Sequence, residues 1–261
     1  MGALKTHSKI YYGIEVLTTN TFLNIKENGG SEITIELTPS AYSLQQIAAH
    51  VETKLNETGA LTYTVVANRT TRKITISVSS GVFSLLISSG SQAASSAFST
   101  LGFNGVDLNG VSTATSDTAL GLVYSPQIPV QDYVPKENNK RSRSAVVTLS
   151  ASGKNVSVQT YGEERFIKGN FKYITNRHLA NGKFRYDSQA VENVISFLTF
   201  AITKGAFEFM PDESKVDDYS TVILESTPQS AEGVGFELKE YVDRDLPNVY
   251  ETGLLVFRVI D

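Results

Sequence analysis

Short periodic patterns in the first hundred residues predict a small α+β module. Apolar residues occupy every second position of the run EITIEL at 32–37, which indicates a strand with one buried face. Ser43 and Gln46 have the spacing of a capping box, and apolar residues then recur every three or four positions as far as Leu55. We therefore predict a helix over this segment that ends near Gly59, a residue type that often follows a helix.

Several shorter elements are predicted after the helix. Two β-prone runs, 61–67 and 73–79, are joined by the polar turn 68–72 and indicate a hairpin. The apolar run 82–87 predicts another strand, and 93–100 predicts a small helix.

A long stretch without hydrophobic periodicity follows. Residues 104–118 are rich in Gly, Ser and Thr, which predicts a loop, and three prolines and a polar run come after it. Such a long irregular region favours two domains. We expect the loop and the linker to be ordered by neighbouring subunits, because they have little apolar pattern of their own. The predicted units are an N-terminal β-rich α+β module (1–123), a Pro-containing linker (124–145) and a C-terminal domain (146–261).

The C-terminal domain is predicted to be mainly β, with one helix. The helix starts at Asp187 or Ser188 and ends near Thr203, with Gly205 after it. It is apolar on nearly all sides, so we expect burial by a sheet and by a neighbouring subunit. The predicted strands lie in 146–149, 155–158, 166–175, 206–210, 219–225, 237–242 and 253–260. The predicted fold class is thus α+β and β-rich, with a sandwich-like or barrel-like C-terminal domain that holds one buried helix.

Composition and charge exclude several classes of protein. The chain is 41% hydrophobic and 19% charged, as in ordinary globular proteins. Its net charge of −4 gives no overall attraction for nucleic acid or acidic lipid, and the basic cluster Lys140, Arg141 and Arg143 is short. The apolar run 191–202 is well below the roughly 20 residues that cross a bilayer. The N-terminus lacks a signal-peptide core, so we expect a soluble protein made in the cytoplasm.

The sequence shows no recognised catalytic motif. The sequence contains no Gly-rich phosphate loop, dinucleotide fingerprint, HExxH helix or nucleophile elbow. It has no cysteine, which excludes disulfides and thiolate chemistry. The histidines His7, His50 and His178 share no motif spacing, and His50 is predicted to be a boundary residue of the first helix. We therefore expect a protein that is not an enzyme and has no catalytic residues, cofactor or metal.

Two groups of acidic residues are weak candidates for chemistry. Carboxylates in one segment could bind a cation, although the calcium-loop pattern is absent and a solvated loop is the preferred interpretation. A glycosidase would need two carboxylates across a cleft, and no spacing selects such a pair. The first group is Asp212, Glu213, Asp217 and Asp218, and the second is Glu163, Glu164, Glu225 and Asp243.

Basic and aromatic residues alternate through 165–186. This pattern can bind nucleic acid by phosphate contact and stacking, but a strand with one core face and one wet face produces the same alternation, and we prefer that interpretation. The residues are Arg165, Lys168, Lys172, Arg177, Lys183 and Arg185, with Phe166, Phe171, Tyr173, Phe184 and Tyr186 among them.

The order of motifs resembles that of tailed-bacteriophage virion proteins. The first half matches a module with a "YS-LA" helix, a hairpin and a closing "LGF", here 42–49, 63–76 and 101–103. The second half is similar to small phage tail proteins that carry a buried helix, a "GG-F-F-PD" turn and a final "FR" strand, here 197–212 and 255–259. Lys204 stands where that pattern often has a second glycine, and the helix has no Trp.

The resemblance implies a structural role in the virion. It implies a component of a baseplate ring near the tail tube, of the ripcord type or similar, in a symmetric and commonly six-fold assembly. The implied partners are further copies of the chain and the tube, sheath or baseplate hub subunits, with no membrane and no specific nucleic acid. Alternatives are a neck or tail-completion protein, a fibre adaptor, or a carbohydrate-binding tail module.

Overall fold

The protein is an α+β structure dominated by antiparallel sheets, as predicted. The computed structural model describes residues 8–125, 140–149, 155–171, 174, 191–203, 205–211, 214–226, 238–240 and 250–260.

The elements are numbered in chain order. Those before residue 125 are β1 (Lys9–Tyr12), β2 (Ile14–Val16), β3 (Phe22–Glu27), β4 (Glu32–Glu36), β5 (Ser40–Tyr42), α1 (Leu44–Thr58), β6 (Tyr63–Asn68), β7 (Lys73–Val78), β8 (Phe83–Leu85), β9 (Leu108–Val111), β10 (Thr113–Thr115) and β11 (Leu122–Tyr124). Those after it are β12 (Lys140–Leu149), β13 (Asn155–Asn170), α2 (Val191–Ile202), β14 (Phe207–Met210), β15 (Ser220–Ser226), β16 (Lys239–Glu240), β17 (Tyr250–Glu251) and β18 (Leu254–Val259).

Helix α1 begins and ends where the sequence predicts. The Ser43 hydroxyl accepts from the Gln46 backbone N–H, and the Gln46 side chain accepts from the Ser43 backbone N–H, which completes a capping box. The Gly59 N–H bonds to the Leu55 carbonyl at the other end. The predicted apolar stripe is buried: Leu44, Ile47, Ala48, Val51 and Leu55.

Two sheets and α1 enclose the first hydrophobic core. The four-stranded sheet has the order β4-β3-β8-β9, and the three-stranded sheet has the order β10-β7-β6. Strands β6 and β7 form the predicted hairpin, and β8 is the predicted strand near 82–87 in shorter form. The predicted helix at 93–100 is a single 3-10 turn, Ala93–Ser95.

The prediction of a long loop at 104–118 is wrong. The segment contains β9, which pairs with β8, and β10, which pairs with β7. Ala114 and Ser116 are buried, and the Ser116 hydroxyl accepts from the Ile74 N–H. The segment is therefore ordered within its own chain and does not need a neighbour. Backbone pairing supplies the order that its Gly-, Ser- and Thr-rich composition did not indicate.

A seven-stranded antiparallel sheet joins the two ends of the chain. Its order is β11-β1-β14-β15-β18-β13-β12, so β1 lies between β11 and β14. Strands from the predicted N-terminal module are thus hydrogen-bonded into the sheet of the C-terminal half. The two-domain division stays a prediction, as does the sandwich-like or barrel-like form of the C-terminal domain.

Helix α2 covers this sheet and forms a second core with it. Val194, Phe197, Leu198 and Ala201 are fully buried, and Phe197 makes T-shaped, edge-to-face contacts with Tyr12 and Phe207 at centroid distances of 5.4 Å and 5.2 Å. Within one copy of the chain the sheet buries one side of the helix, and the expected burial of its other side by a neighbouring subunit stays a prediction. The face that carries Glu192, Ile195, Ser196 and Thr199 is exposed.

Strands β12 and β13 form a long antiparallel hairpin. The predicted strands 146–149 and 155–158 both lie in it and pair with each other. Residues 140–145 of the predicted linker belong to β12, and 126–139 lie outside the described residues.

Candidate interaction surface

The acidic residues do not assemble a cation site in the described structure. Asp217 and Asp218 lie exposed in the turn before β15, whereas Asp212 and Glu213 lie outside the described residues. Within the part of the chain that is described, no group of three His, Cys, Asp or Glu residues could hold a metal ion.

The candidate glycosidase carboxylates have other neighbours. Glu225 on β15 forms an ion pair with Arg258 on β18, with 3.1 Å between the carboxylate oxygen and Nε. Glu163 and Glu164 on β13 are the register partners of Arg143 and Ser142 on β12. Asp243 lies outside the described residues. Glu225 therefore pairs with a cation of the neighbouring strand, where a glycosidase would need it to face a second carboxylate.

The basic and aromatic segment is partly core. Phe171 is buried and packs against Tyr124 and Phe257, so its ring has no free face for a base. Arg165, Phe166 and Lys168 are half-buried on β13. Lys172, Tyr173, Arg177, Lys183, Phe184, Arg185 and Tyr186 lie outside the described residues.

His50 has a local structural role. Its Nε2 accepts a hydrogen bond from the Thr38 backbone N–H at 3.0 Å, and its ring stacks on Tyr42 at 5.1 Å. Burial and the nearby Lys54 ammonium lower the pKa of His50, because both disfavour the imidazolium. The neutral imidazole is thus the form that matches this hydrogen bond. His7 and His178 lie outside the described residues.

A buried ion pair that no local sequence pattern indicates connects the two halves of the chain. Glu208 on β14 is fully buried, and its Oε1 accepts from the Gln45 N–H in the first turn of α1 at 3.0 Å. Arg69, in the β6–β7 turn, brings its Nε to 3.5 Å from Oε2. The Arg69 guanidinium also lies 3.3 Å above the centre of the Tyr219 ring. The polar turn 68–72 therefore attaches the first core to the seven-stranded sheet.

Arg72 makes a second attachment from the same turn. Its guanidinium donates to the carbonyls of Leu120 and Gly121 at 2.9 Å each, immediately before β11. Since β11 belongs to the seven-stranded sheet, this bond and the Arg69–Glu208 pair hold one hairpin turn against two parts of that sheet.

A group of exposed apolar residues lies at the β11 end of the seven-stranded sheet. Leu122 and Val123 on β11 are 52% and 37% exposed, and Ile195 on α2 is 40% exposed. Leu122 is the register partner of Tyr12, and the Tyr12 hydroxyl donates to the Ser196 hydroxyl beside Ile195. Val123 points to the opposite face of the sheet, because its register partner Tyr11 packs in the first core. We name Leu122, Glu192 and Ile195 the β11–α2 surface. An edge strand with exposed apolar residues is a typical protein-binding feature.

Comparisons with known proteins leave the family open. No protein-family model matches the chain, and no curated protein matches it. In the described residues, none of the helices is both long and apolar enough to cross a membrane.

Proposed function

We propose that the protein is a structural component of a bacteriophage tail, located in the virion, and forms a symmetric six-fold ring at the junction of baseplate and tail tube. The observation that carries the proposal is the apolar edge at β11, at one end of a sheet whose other end is the long β12–β13 hairpin. The order of motifs, which resembles that of phage tail proteins, supports it. The proposal assigns no catalytic residue and no cofactor.

The strand directions are compatible with a ring. Six antiparallel pairings separate β11 from β12, so the two strands run in the same direction. A rotation that relates neighbouring copies can therefore place the β12 side of one copy beside the β11 side of the next. Such a contact joins two different surfaces, and contacts of this kind form a ring when the rotation between neighbours closes and an open filament when it does not.

Tube, sheath or baseplate hub subunits are the proposed partners beside further copies of the chain. A neck or tail-completion protein and a fibre adaptor would use the same edges, and they remain alternatives within the same assembly. Membrane binding and specific nucleic-acid binding are not part of the proposal.

The glycan-binding alternative has less support. Without Trp, its aromatic platform would have to be tyrosine. Among the tyrosines whose side chains are described none is exposed, and the half-buried rings of Tyr42 and Tyr219 are covered by His50 and Arg69.

Molar mass tests the proposed function. Light scattering of the purified chain over a concentration series should give a closed oligomer of six copies, and added tail tubes should capture it in a fixed ratio. A chain that stays monomeric and does not bind tubes would contradict the proposal, and a glycan screen would then test the remaining alternative.

A further inference from the structure

Strand β6 is the terminal strand of the three-stranded sheet and has the composition of a strand that pairs readily. The sheet has the order β10-β7-β6, so among the described residues no strand lies on the other side of β6. Residues 61–67, LTYTVVA, contain no charge, proline or glycine and are rich in β-branched and aromatic residues. Uncharged β-prone runs of this length on an open sheet edge pair with strands of other chains. An uncovered β6 would therefore be a site of self-association.

The register of β6 shows which of its backbone groups point away from the sheet. In an antiparallel pair, the hydrogen-bonded positions alternate along the strand. The Ser79 N–H donates to the Thr62 carbonyl, which places the even-numbered residues of β6 in the bonds to β7. The backbone groups of Tyr63, Val65 and Ala67 therefore point to the open side.

Polar side chains of α1 occupy this open side. The Asn56 carboxamide accepts a hydrogen bond from the Tyr63 N–H at 2.8 Å and donates one to the Tyr63 carbonyl at 3.0 Å. The Glu52 carboxylate accepts from the Val65 N–H at 2.7 Å. These two side chains thus bond to β6 much as the backbone of a further strand would.

A third side chain of α1 extends the contact to the end of the strand. The Gln45 Nε2 donates to the Ala67 carbonyl at 3.2 Å. Gln45, Glu52 and Asn56 are separated by seven and four residues, so they lie on one face of the helix. We name these three residues the polar row of α1. Four backbone groups of β6 are bonded to it, in the positions that an added strand would use.

Hydrogen-bond satisfaction alone does not account for this arrangement. Asn56 is exposed and Glu52 is half-buried, so the β6 edge next to them lies at the protein surface. Water can bond to backbone groups at such a boundary almost as favourably as a side chain can. Side chains differ from water because they fill the space that a strand would need, and the Glu52 carboxylate also brings a charge to the edge.

We propose that the polar row of α1 closes the β6 edge against pairing with a strand of another copy. Helix α1 then has two roles, because its apolar stripe supports the first core and its polar row keeps the sheet from extending. The inference goes beyond the proposed function and does not rest on it, since the proposed ring uses the β11 edge. Removal of the polar row should create an association that the wild type lacks.

Two double variants test the closure. Glu52→Ala/Asn56→Ala removes three of the four hydrogen bonds and opens the edge. The matched control, Thr53→Ala/Glu57→Ala, removes the same charge from exposed positions of α1. Sedimentation velocity over a concentration series measures the molar mass of each variant, and circular dichroism during heating shows whether each is folded.

The expected result is a new association that depends on β6. Glu52→Ala/Asn56→Ala should form species larger than those of the wild type, with self-association strengthened about tenfold or more by new backbone hydrogen bonds. The control should match the wild type. Val66→Lys added to the open variant should restore wild-type masses, because a lysine on an edge strand opposes strand pairing, whereas Val106→Lys should not. Both valines are exposed, at 57% and 77%.

Each outcome decides the proposal. Wild-type masses in a folded Glu52→Ala/Asn56→Ala variant would overturn it. Larger species that persist after Val66→Lys would overturn it as well, since the contact would then not run through β6. If the double variant does not fold, Glu52→Ala alone, which removes one of these hydrogen bonds, is judged by the same two criteria. The molar mass of the wild type tests the ring, so the two proposals fail separately.

Discussion

At the residue scale, buried and half-buried polar groups fix local geometry through identifiable partners. Glu208 lies on β14 of the seven-stranded sheet, whereas its partners Gln45 and Arg69 lie on α1 and in the β6–β7 turn, which surround the first core. The positive end of α1 and the guanidinium both compensate for the buried negative charge. One carboxylate therefore connects elements that are more than 130 residues apart in the sequence.

Removal of this carboxylate should destabilise the protein. We expect Glu208→Ala to lower the free energy of unfolding by about 3 kcal/mol, because it leaves Arg69 without its ion-pair partner and opens a small cavity. Urea denaturation measures the change. Glu15→Ala, at an exposed position of β2, is the control and should cost well under 1 kcal/mol. Equal effects at the two positions would show that the buried pair contributes no stability.

His50 should make stability depend on pH. Its pKa in the folded protein is lowered below the ordinary value of 6.5, so the unfolded chain binds the proton more readily. The stabilisation is complete above about pH 6.5 and is lost as pH falls through the folded-state pKa. His50→Gln can still accept the Thr38 N–H without titrating, so its unfolding free energy should fall less between pH 7 and pH 5. Chemical denaturation at both pH values measures this, and identical pH dependence in both proteins would refute it.

At the element scale, helix ends and turns follow local chemistry. The capping box of α1 satisfies backbone donors with side chains only three residues apart, so its position is encoded locally. Other turns depend on distant backbone. Gly102 has φ = 75°, and a Cβ built there would lie 2.4 Å from the Thr118 carbonyl oxygen.

The cap of α1 can be tested by a single substitution. Ser43→Ala removes the hydroxyl that accepts from the Gln46 N–H, and we expect a loss of about 1 kcal/mol in the free energy of unfolding. Thermal or urea unfolding measures it. Ser80→Ala, at an exposed position after β7, is the control and should be near neutral. A loss of equal size at Ser80 would remove the capping explanation.

Gly102 should be intolerant of any side chain. Gly102→Ala forces an L residue into the left-handed region and against a backbone oxygen, so we expect a loss of about 2 kcal/mol or more. Gly110→Ala is the matched control, because Gly110 has φ = 63° but no atom within 4 Å of a built Cβ. The difference between the melting temperatures of the two variants measures how much of the destabilisation at Gly102 comes from the steric clash. If Gly110→Ala is as damaging, backbone strain alone accounts for the loss.

At the scale of the whole molecule, the two cores share elements. Met210 of β14 packs in the first core, whereas Ile10, Tyr12 and Tyr124 from the N-terminal half pack in the second. The seven-stranded sheet is complete only with β1 and β11. Each half of the chain therefore buries apolar side chains of the other half, so the two halves are connected by packing as well as by the chain between them.

This interdependence predicts the behaviour of an isolated half. A fragment of residues 146–261 lacks β1 and β11 and exposes the core side of α2 where Tyr12 and Tyr124 would pack. We expect no cooperative thermal transition in the fragment, in contrast to a single sharp one in the full chain. Circular dichroism during heating measures both. A cooperative transition in the fragment would support the independent C-terminal domain that the sequence suggests.

Local patterns in the sequence predicted much of the architecture. The α+β class, the strand at 32–37, the helix with its cap, the hairpin after it and several C-terminal strands all follow from periodicity and turn residues. Hydrophobic periodicity did not predict the strands within 104–118, because these strands have few apolar residues and are held by pairing with β7 and β8. The burial of α2 is incomplete within one copy, where Ile195 is exposed, and burial of that side by a neighbouring subunit stays a prediction.

The sequence by itself determined the elements, because strand alternation, helical spacing and capping act over a few residues. Only the tertiary structure decided which elements meet: β1 and β11 in the C-terminal sheet, Arg69 on Glu208, and an apolar β11–α2 surface left uncovered. These arrangements join residues far apart in the chain, and their free energy comes from shared burial and charge compensation. No short window of sequence contains both partners, so no local pattern could reveal them.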